Sequence, residues 1–226
     1  MNKLVNGGMY DKDGNILITG AIFDMDGTLL DSMGAWYTAG SKYIRSLGMT
    51  PPPTMDEDIL RLSLAEAAVY MRDLGVDKPL DEIQAGFNGV MDDFYFNEVE
   101  ARPGVHAFLE TLRAKGIPMC VSTASDRYQV EAALKRTGLF DYFERIFTCT
   151  ELNTGKYESK IFDAARDFMG TDVNTTWVFE DARHAAGTAK KAGYKVCGIA
   201  DEAEPDQKAL AEIADVYVIS VEELNI

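Results

Sequence analysis

Two aspartates, Asp24 and Asp26, directly follow the apolar run Ala21-Ile22-Phe23 and precede Gly27-Thr28-Leu29-Leu30. Burying carboxylates among such neighbours is costly unless a metal ion or a proton partner compensates them. Further along, two other apolar runs end in Ser122-Thr123-Ala124-Ser125 and in Glu180-Asp181, and Gly155-Lys156 follows a third. Four carboxylates, a hydroxyl and an ammonium are the parts that phosphoryl transfer needs, because its transition state spreads negative charge over the phosphoryl oxygens. One carboxylate can act as nucleophile. A second, two residues on, can protonate the leaving oxygen and later take a proton from water. Lys156 would shield the charge, and Thr123 with the backbone N–H groups around Ala124 would hold phosphoryl oxygens. Oxygen donors without imidazole or thiolate select magnesium over zinc. The two histidines, His106 and His184, are too few for a His-rich zinc site.

The chain contains its own control. Asp-x-Asp-Gly also occurs at Asp11-Lys12-Asp13-Gly14, but there it follows Gly7-Gly8-Met9-Tyr10 and precedes Asn15. That context reads as a polar turn rather than the end of a strand. Rivals exist for some of the chosen residues. Lys160 lies one helical turn past Lys156. Ser122 faces the opposite way from Thr123 if both are in a strand. Glu180 could cap the next helix, and His184 reads as a surface residue. Arg61, Arg72 and Lys78 read as solvated cations, while Arg102 lies where the chain returns towards the cleft.

The elements that must position these groups alternate. Strands are expected near Leu17–Phe23, Ile117–Ser122, Arg145–Thr148, Thr176–Glu180, Lys195–Ile199 and Val216–Ile219. Helices are expected near Val105–Lys115, Arg127–Thr137, Ser159–Met169, Ala182–Ala192 and Pro205–Ala214, several of them stopping at a glycine: Gly116, Gly138, Gly170 and Gly193. Alternation of this kind implies an α/β fold, a doubly wound parallel sheet with helices on both faces. In an open parallel sheet, ligands bind outside the carboxyl ends of the strands, which is where the polar residues fall. Residues 34–99 break the pattern. Ser41–Leu47, Asp56–Leu74 and Leu80–Val99 read as three helices joined by Thr50-Pro51-Pro52-Pro53 and Gly75-Val76-Asp77-Lys78-Pro79. The expected organisation is a core of residues 1–33 and 100–226 with an inserted helical domain, 34–99.

The chain has 226 residues, enough for one large domain or one plus an insert. Its formal net charge of -15 opposes nonspecific binding to nucleic acid, which needs a basic face. The same charge opposes docking on an anionic membrane. No run of about 18–20 apolar residues is present to span a bilayer, and Met1–Gly8 has no apolar signal core, so the expectation is a cytoplasmic protein. Cys120, Cys149 and Cys197 are an odd set within core segments, as expected for reduced thiols. No Gly-x-Gly-x-x-Gly, Gly-Lys-Ser/Thr or Gly-x-Ser-x-Gly motif supports nicotinamide redox chemistry, a nucleotide-triphosphate motor or a serine esterase.

Asp24-Met25-Asp26-Gly27-Thr28 resembles the first motif of the haloacid dehalogenase-like hydrolase superfamily, Thr123 the second, Lys156 the third and Glu180-Asp181 the fourth. Order and spacing agree over about residues 17–200. The helical insert resembles the small cap of the subfamily that contains β-phosphoglucomutase and phosphoglycolate phosphatase. The resemblance implies that Asp24 is the nucleophile and Asp26 the general acid/base. It also implies magnesium held by Asp24, the Asp26 carbonyl and Asp181, with Glu180 a ligand or its support. Two departures stand out: Tyr157 follows the lysine where the family often has proline, and Ala182 and Ala185 replace the frequent serine and glycine.

The expected activity is magnesium-dependent hydrolysis of a small phosphorylated metabolite, such as a sugar phosphate, phosphoglycolate or a nucleotide. A β-phosphoglucomutase-like phosphomutase is the alternative. A phospho-receiver or a non-catalytic binding protein is the rival from another class; the Asp24/Asp26 spacing and the insert stand against a receiver. The insert carries Lys42, Arg45, Arg61, Arg72 and Lys78 against eleven acidic residues, 5 minus 11, which tilts the expectation towards hydrolysis. Neither substrate identity nor oligomeric state follows from the residues.

Overall fold

A computed structural model describes residues 17–59, 62 and 64–224. The first Asp-x-Asp-Gly copy and Arg61 lie outside the described residues. Six strands, β1 (Gly20–Phe23), β2 (Met119–Thr123), β3 (Arg145–Thr148), β4 (Thr176–Glu180), β5 (Lys195–Ile199) and β6 (Val216–Val218), form one sheet. Their order is β3-β2-β1-β4-β5-β6, and every described pairing is parallel. Sequential strands run outwards from β1 to one side and then, from β4, to the other. The direction of winding therefore reverses between β1 and β4, and loops there diverge and leave a crevice at the carboxyl ends.

The sheet is buried on both faces, so its strands are continuous apolar runs rather than alternating ones. All four residues of β1 and all five of β2 and β4 are buried. At its centre Phe23 stacks on Phe179 at 4.4 Å, with Phe108 and Phe143 meeting Phe23 edge-on. Cys120, Cys149 and Cys197 are free and buried.

The chain divides into two compact units, one holding the chain up to Asp31 and from Glu100 onward, the other Ser32–Val99. Among the described residues of the second, four helices occur: α1 (Met33–Ser46), α2 (Met55–Ile59), α3 (Leu64–Asp73) and α4 (Leu80–Asn97). The three expected helices are thus corrected to four. The first begins eight residues before its expected start, because Ser32 accepts backbone bonds from Ala35 and Trp36 and carries the helix through Gly34. The expected Asp56–Leu74 helix is two. Trp36 donates to the Tyr95 hydroxyl at 2.9 Å inside this unit, and Gly86 lets Tyr43 pass where any Cβ would lie 2.3 Å from its ring.

In the first unit, α5 (Val105–Ala114) follows the insert, α6 (Arg127–Arg136) follows β2, and the short α7 (Cys149–Leu152) follows β3. Then come α8 (Lys160–Met169), α9 (Arg183–Lys191) and α10 (Gln207–Ile213). The sequence gives no signal for α7, whose four residues are too few for a helical period. It forms because the Thr148 hydroxyl accepts from the Glu151 N–H at 3.2 Å.

Candidate active site

β1 stops at Phe23, and Asp24 begins the loop while still donating its N–H to the Phe179 carbonyl at 3.0 Å. Gly27 then takes φ 74°, a left-handed turn that a side chain would strain, and its N–H returns to the Leu30 carbonyl. This turn places Asp24 beside the end of β4, where Glu180 and Asp181 lie. Asp24, Glu180 and Asp181 are buried, and each offers a carboxylate oxygen within 4.8 Å of the others.

Lys156 enters this acidic cluster from the loop after α7. Asn153 ends α7 in the left-handed conformation and turns the chain towards Gly155-Lys156. The Lys156 ammonium lies 2.5 Å from Asp24 Oδ1 and 3.0 Å from Glu180 Oε2, only 6% of its side chain exposed. Burial alone would lower its pKa, but the Asp24 and Glu180 carboxylates raise it above the usual lysine range. Lys160, by contrast, donates to the Leu152 carbonyl at 2.6 Å on the surface.

Burial pushes the Glu180 and Asp181 carboxyls well above the ordinary range, and the neighbouring Asp24 charge adds to the push. Three carboxylates against one ammonium leave an excess of two negative charges in a buried space. Oxygen-only donors so arranged fit a hard divalent cation, which would relieve that repulsion. Glu180 is the last residue of β4 and its carboxylate accepts from Lys156, not from α9, whose first N–H, from Arg183, donates to Glu204 at 2.8 Å. The possible helix-capping role of Glu180 is therefore corrected.

Asp26 is half-buried, and the Ser125 hydroxyl donates to its Oδ2 at 2.6 Å. Its side chain is outside the three-carboxylate cluster. Thr123, the last residue of β2, accepts from the Ser125 N–H at 3.1 Å, so Thr123, Ala124 and Ser125 form one turn tied to Asp26. Ser122 is fully buried with its hydroxyl unpartnered, on the other side of the strand. Arg72 and Lys78 are exposed on the helical unit. His184 lies exposed in the first turn of α9, its ring stacked on Tyr157 at 4.7 Å.

Two supporting residues, Ser125 and Thr28, were missed by sequence reasoning, and Arg102, expected only to approach the cleft, has a different role. Ser125 orients Asp26. The Thr28 hydroxyl donates to Asp181 Oδ1 at 3.1 Å, linking the loops after β1 and β4. Arg102 donates to the Gly27 carbonyl and to Asp201 Oδ2, each at 2.6 Å, and to the Ala200 carbonyl at 2.7 Å. Arg102 thus clamps the Asp24–Gly27 turn to the end of β5 instead of facing the cleft as a free cation. Ser125 and Thr28 adjoin the motif residues, which is a local signal. The partners of Arg102 are 75 and 98 or 99 positions away and leave none.

The raised carboxyls have a measurable consequence. Glu180 and Asp181 hold protons more tightly folded than unfolded, so in a chelator stability should fall as pH rises above the ordinary carboxylate range. A divalent cation prefers the deprotonated cluster, and its stabilisation should grow over the same interval, reaching about 2.7 kcal/mol at 100 times Kd. Melting temperatures with and without magnesium between about pH 5 and 8 check this. A magnesium shift that is absent, or that does not grow with pH, would contradict it.

The sequence pattern described as haloacid dehalogenase-like hydrolase matches residues 21–199, and the chain belongs to that family. A protein of Thermotoga maritima named phosphorylated carbohydrates phosphatase is 24% identical over 198 residues, covering 87% of this chain and 91% of the relative. A Bacillus subtilis protein named as a phosphatase is 33% identical over 96 residues, but the match spans only 42% of this chain and 44% of that one. A solved Thermotoga maritima structure provisionally named beta-phosphoglucomutase superposes with a TM-score of 0.81 at 24% identity, covering 92% of this chain and 97% of the other. Among the described residues no helix is long and apolar enough to cross a membrane.

Proposed function

We propose that this chain is a magnesium-dependent phosphatase that hydrolyses a small phosphorylated metabolite through an aspartyl-phosphate on Asp24. The observation that carries the proposal is the buried ammonium of Lys156 at 2.5 Å from Asp24 and 3.0 Å from Glu180, beside Asp181. Lys156 offers a cation where a phosphoryl group would approach Asp24. Asp24 attacks phosphorus, and Asp26, steadied by Ser125, gives a proton to the departing oxygen. Asp26 then takes a proton from the water that releases phosphate. Thr123 and the Ala124 N–H would hold phosphoryl oxygens, completing with Lys156 the phosphate-binding set. Asp24, Asp181 and the Asp26 carbonyl, supported by Glu180, would hold magnesium, which supplies countercharge to the phosphoryl oxygens.

A phosphomutase would pass the same phosphoryl group to a second hydroxyl of the substrate instead of water. The structural likeness to a protein provisionally named beta-phosphoglucomutase keeps this as the second reading. The names of the phosphatase relatives and the acidic insert, 5 basic against 11 acidic residues, favour hydrolysis. The test is phosphate release from sugar phosphates, nucleotides and phosphoglycolate with magnesium. Conversion of glucose 1-phosphate to glucose 6-phosphate without net release would favour the mutase instead.

In the same assay Asp26→Asn should lower kcat by about 10²- to 10⁴-fold, the usual worth of a positioned acid/base. The loss should shrink for an aryl phosphate, whose leaving group departs with less need of a proton. An unchanged rate on an alkyl phosphate would remove Asp26 from this duty.

A further inference from the structure

Tyr157 is the most exposed aromatic side chain among the described residues, at 78%. Its ring is nevertheless placed: one face stacks on His184 at 4.7 Å and 28° between planes. The loop that carries it is short and tied, because the Glu158 N–H returns to the Gly155 carbonyl at 3.1 Å and Thr154 donates to the Glu158 carboxylate at 3.1 Å. Tyr157 directly follows Lys156, whose ammonium touches Asp24, and His184 is three residues past Asp181. The pair therefore joins the loop carrying the cation to the helix that follows the carboxylates. Water gains nothing from a flat apolar face held in this way, whereas a ring does.

We infer that Tyr157, stacked on His184, is a specificity-determining platform that receives the ring of a cyclic leaving group, so that ring-bearing phosphomonoesters are preferred to acyclic ones. The inference rests on the phosphatase reading. The free tyrosine face offers dispersion contact to the C–H face of a sugar ring or to a base, with no bond to the phosphoryl group. Such contact binds the ground state and the transition state alike, so its removal appears in KM and not in kcat.

The experiment compares the wild type with Tyr157→Ala, Tyr157→Phe and Tyr157→Pro, with magnesium, on glucose 6-phosphate and AMP against glycerol 3-phosphate and phosphoglycolate. The alanine and proline variants should raise KM for the ring-bearing substrates by about 3- to 10-fold, the span of one aromatic contact, with kcat unchanged. The acyclic substrates should be unaffected, and phenylalanine should keep wild-type behaviour. An equal loss on both sets, or a fall in kcat, would make the pair a mere support of the Lys156 loop and overturn the platform, as would full rescue by proline. A wild type that prefers the acyclic set, or variants with no effect, would also overturn it while leaving the phosphatase reading intact. A wild type that releases phosphate from none of the four, nor from p-nitrophenyl phosphate, would defeat the phosphatase reading itself, and the platform with it.

Discussion

Asp24→Asn should abolish turnover, with kcat reduced by at least about 10⁴-fold, because loss of a nucleophile removes the step on which every other group acts. Asn keeps the shape of the side chain but cannot form an acyl phosphate at neutral pH. The variant should remain folded, since Lys156 keeps its bond to Glu180 at 3.0 Å. It should also fail to retain a covalent phosphoryl group in acid-quenched samples under conditions where the wild type does. Phosphate release from p-nitrophenyl phosphate measures the first effect, and mass spectrometry of the quenched protein the second. Activity within tenfold of wild type would place the nucleophile elsewhere and undo the proposed mechanism.

Lys156→Met has the second largest effect expected, and it acts on two levels. The ammonium is nearly fully buried between Asp24 and Glu180, so solvent screening is slight. Removing one partner of such a network while leaving the others charged costs about 3–5 kcal/mol. The cost depends on pH in a defined direction. Burial and the Asp24 charge raise the Glu180 and Asp181 carboxyls, so lowering the pH towards the ordinary carboxylate range neutralises them in the folded state and shrinks the deficit. Denaturant titrations of wild type and variant in a chelator at about pH 5 and 8 should show the gap widening at the higher value. Turnover should be lost as well, because nothing else among the described residues brings an ammonium to Asp24. A variant as stable as wild type at the higher pH would show that the carboxylates are compensated in another way.

The candidate site divides into a part legible in the residues and a part that was not. Asp24, Asp26, Thr123, Glu180 and Asp181 could be nominated because each stands at or just past the end of an apolar run, and Lys156 because it follows one after a short loop. In a parallel sheet all such ends lie on one edge. Buried strands such as Met119–Thr123 and Thr176–Glu180 are legible for the same reason, since burial on both faces demands unbroken apolar runs. The helical insert was visible as missing strand signal between prolines and glycines, and so were two of its joins, but the split of the expected Asp56–Leu74 helix was not. The break between Ile59 and Leu64 has no proline or glycine to mark it.

The sequence by itself determined the kind of chemistry available, because that depends on residue types, their order and the period of the apolar pattern. Only the tertiary structure decided which groups act on which. The choice of Lys156 over Lys160, the commitment of Arg102 to Gly27, Ala200 and Asp201, and the Ser125 bond to Asp26 all join segments far apart in the chain. The Tyr157–His184 stack belongs with them. Such contacts depend on strand order and loop direction, so a residue at one end can be noticed locally while its pairing cannot.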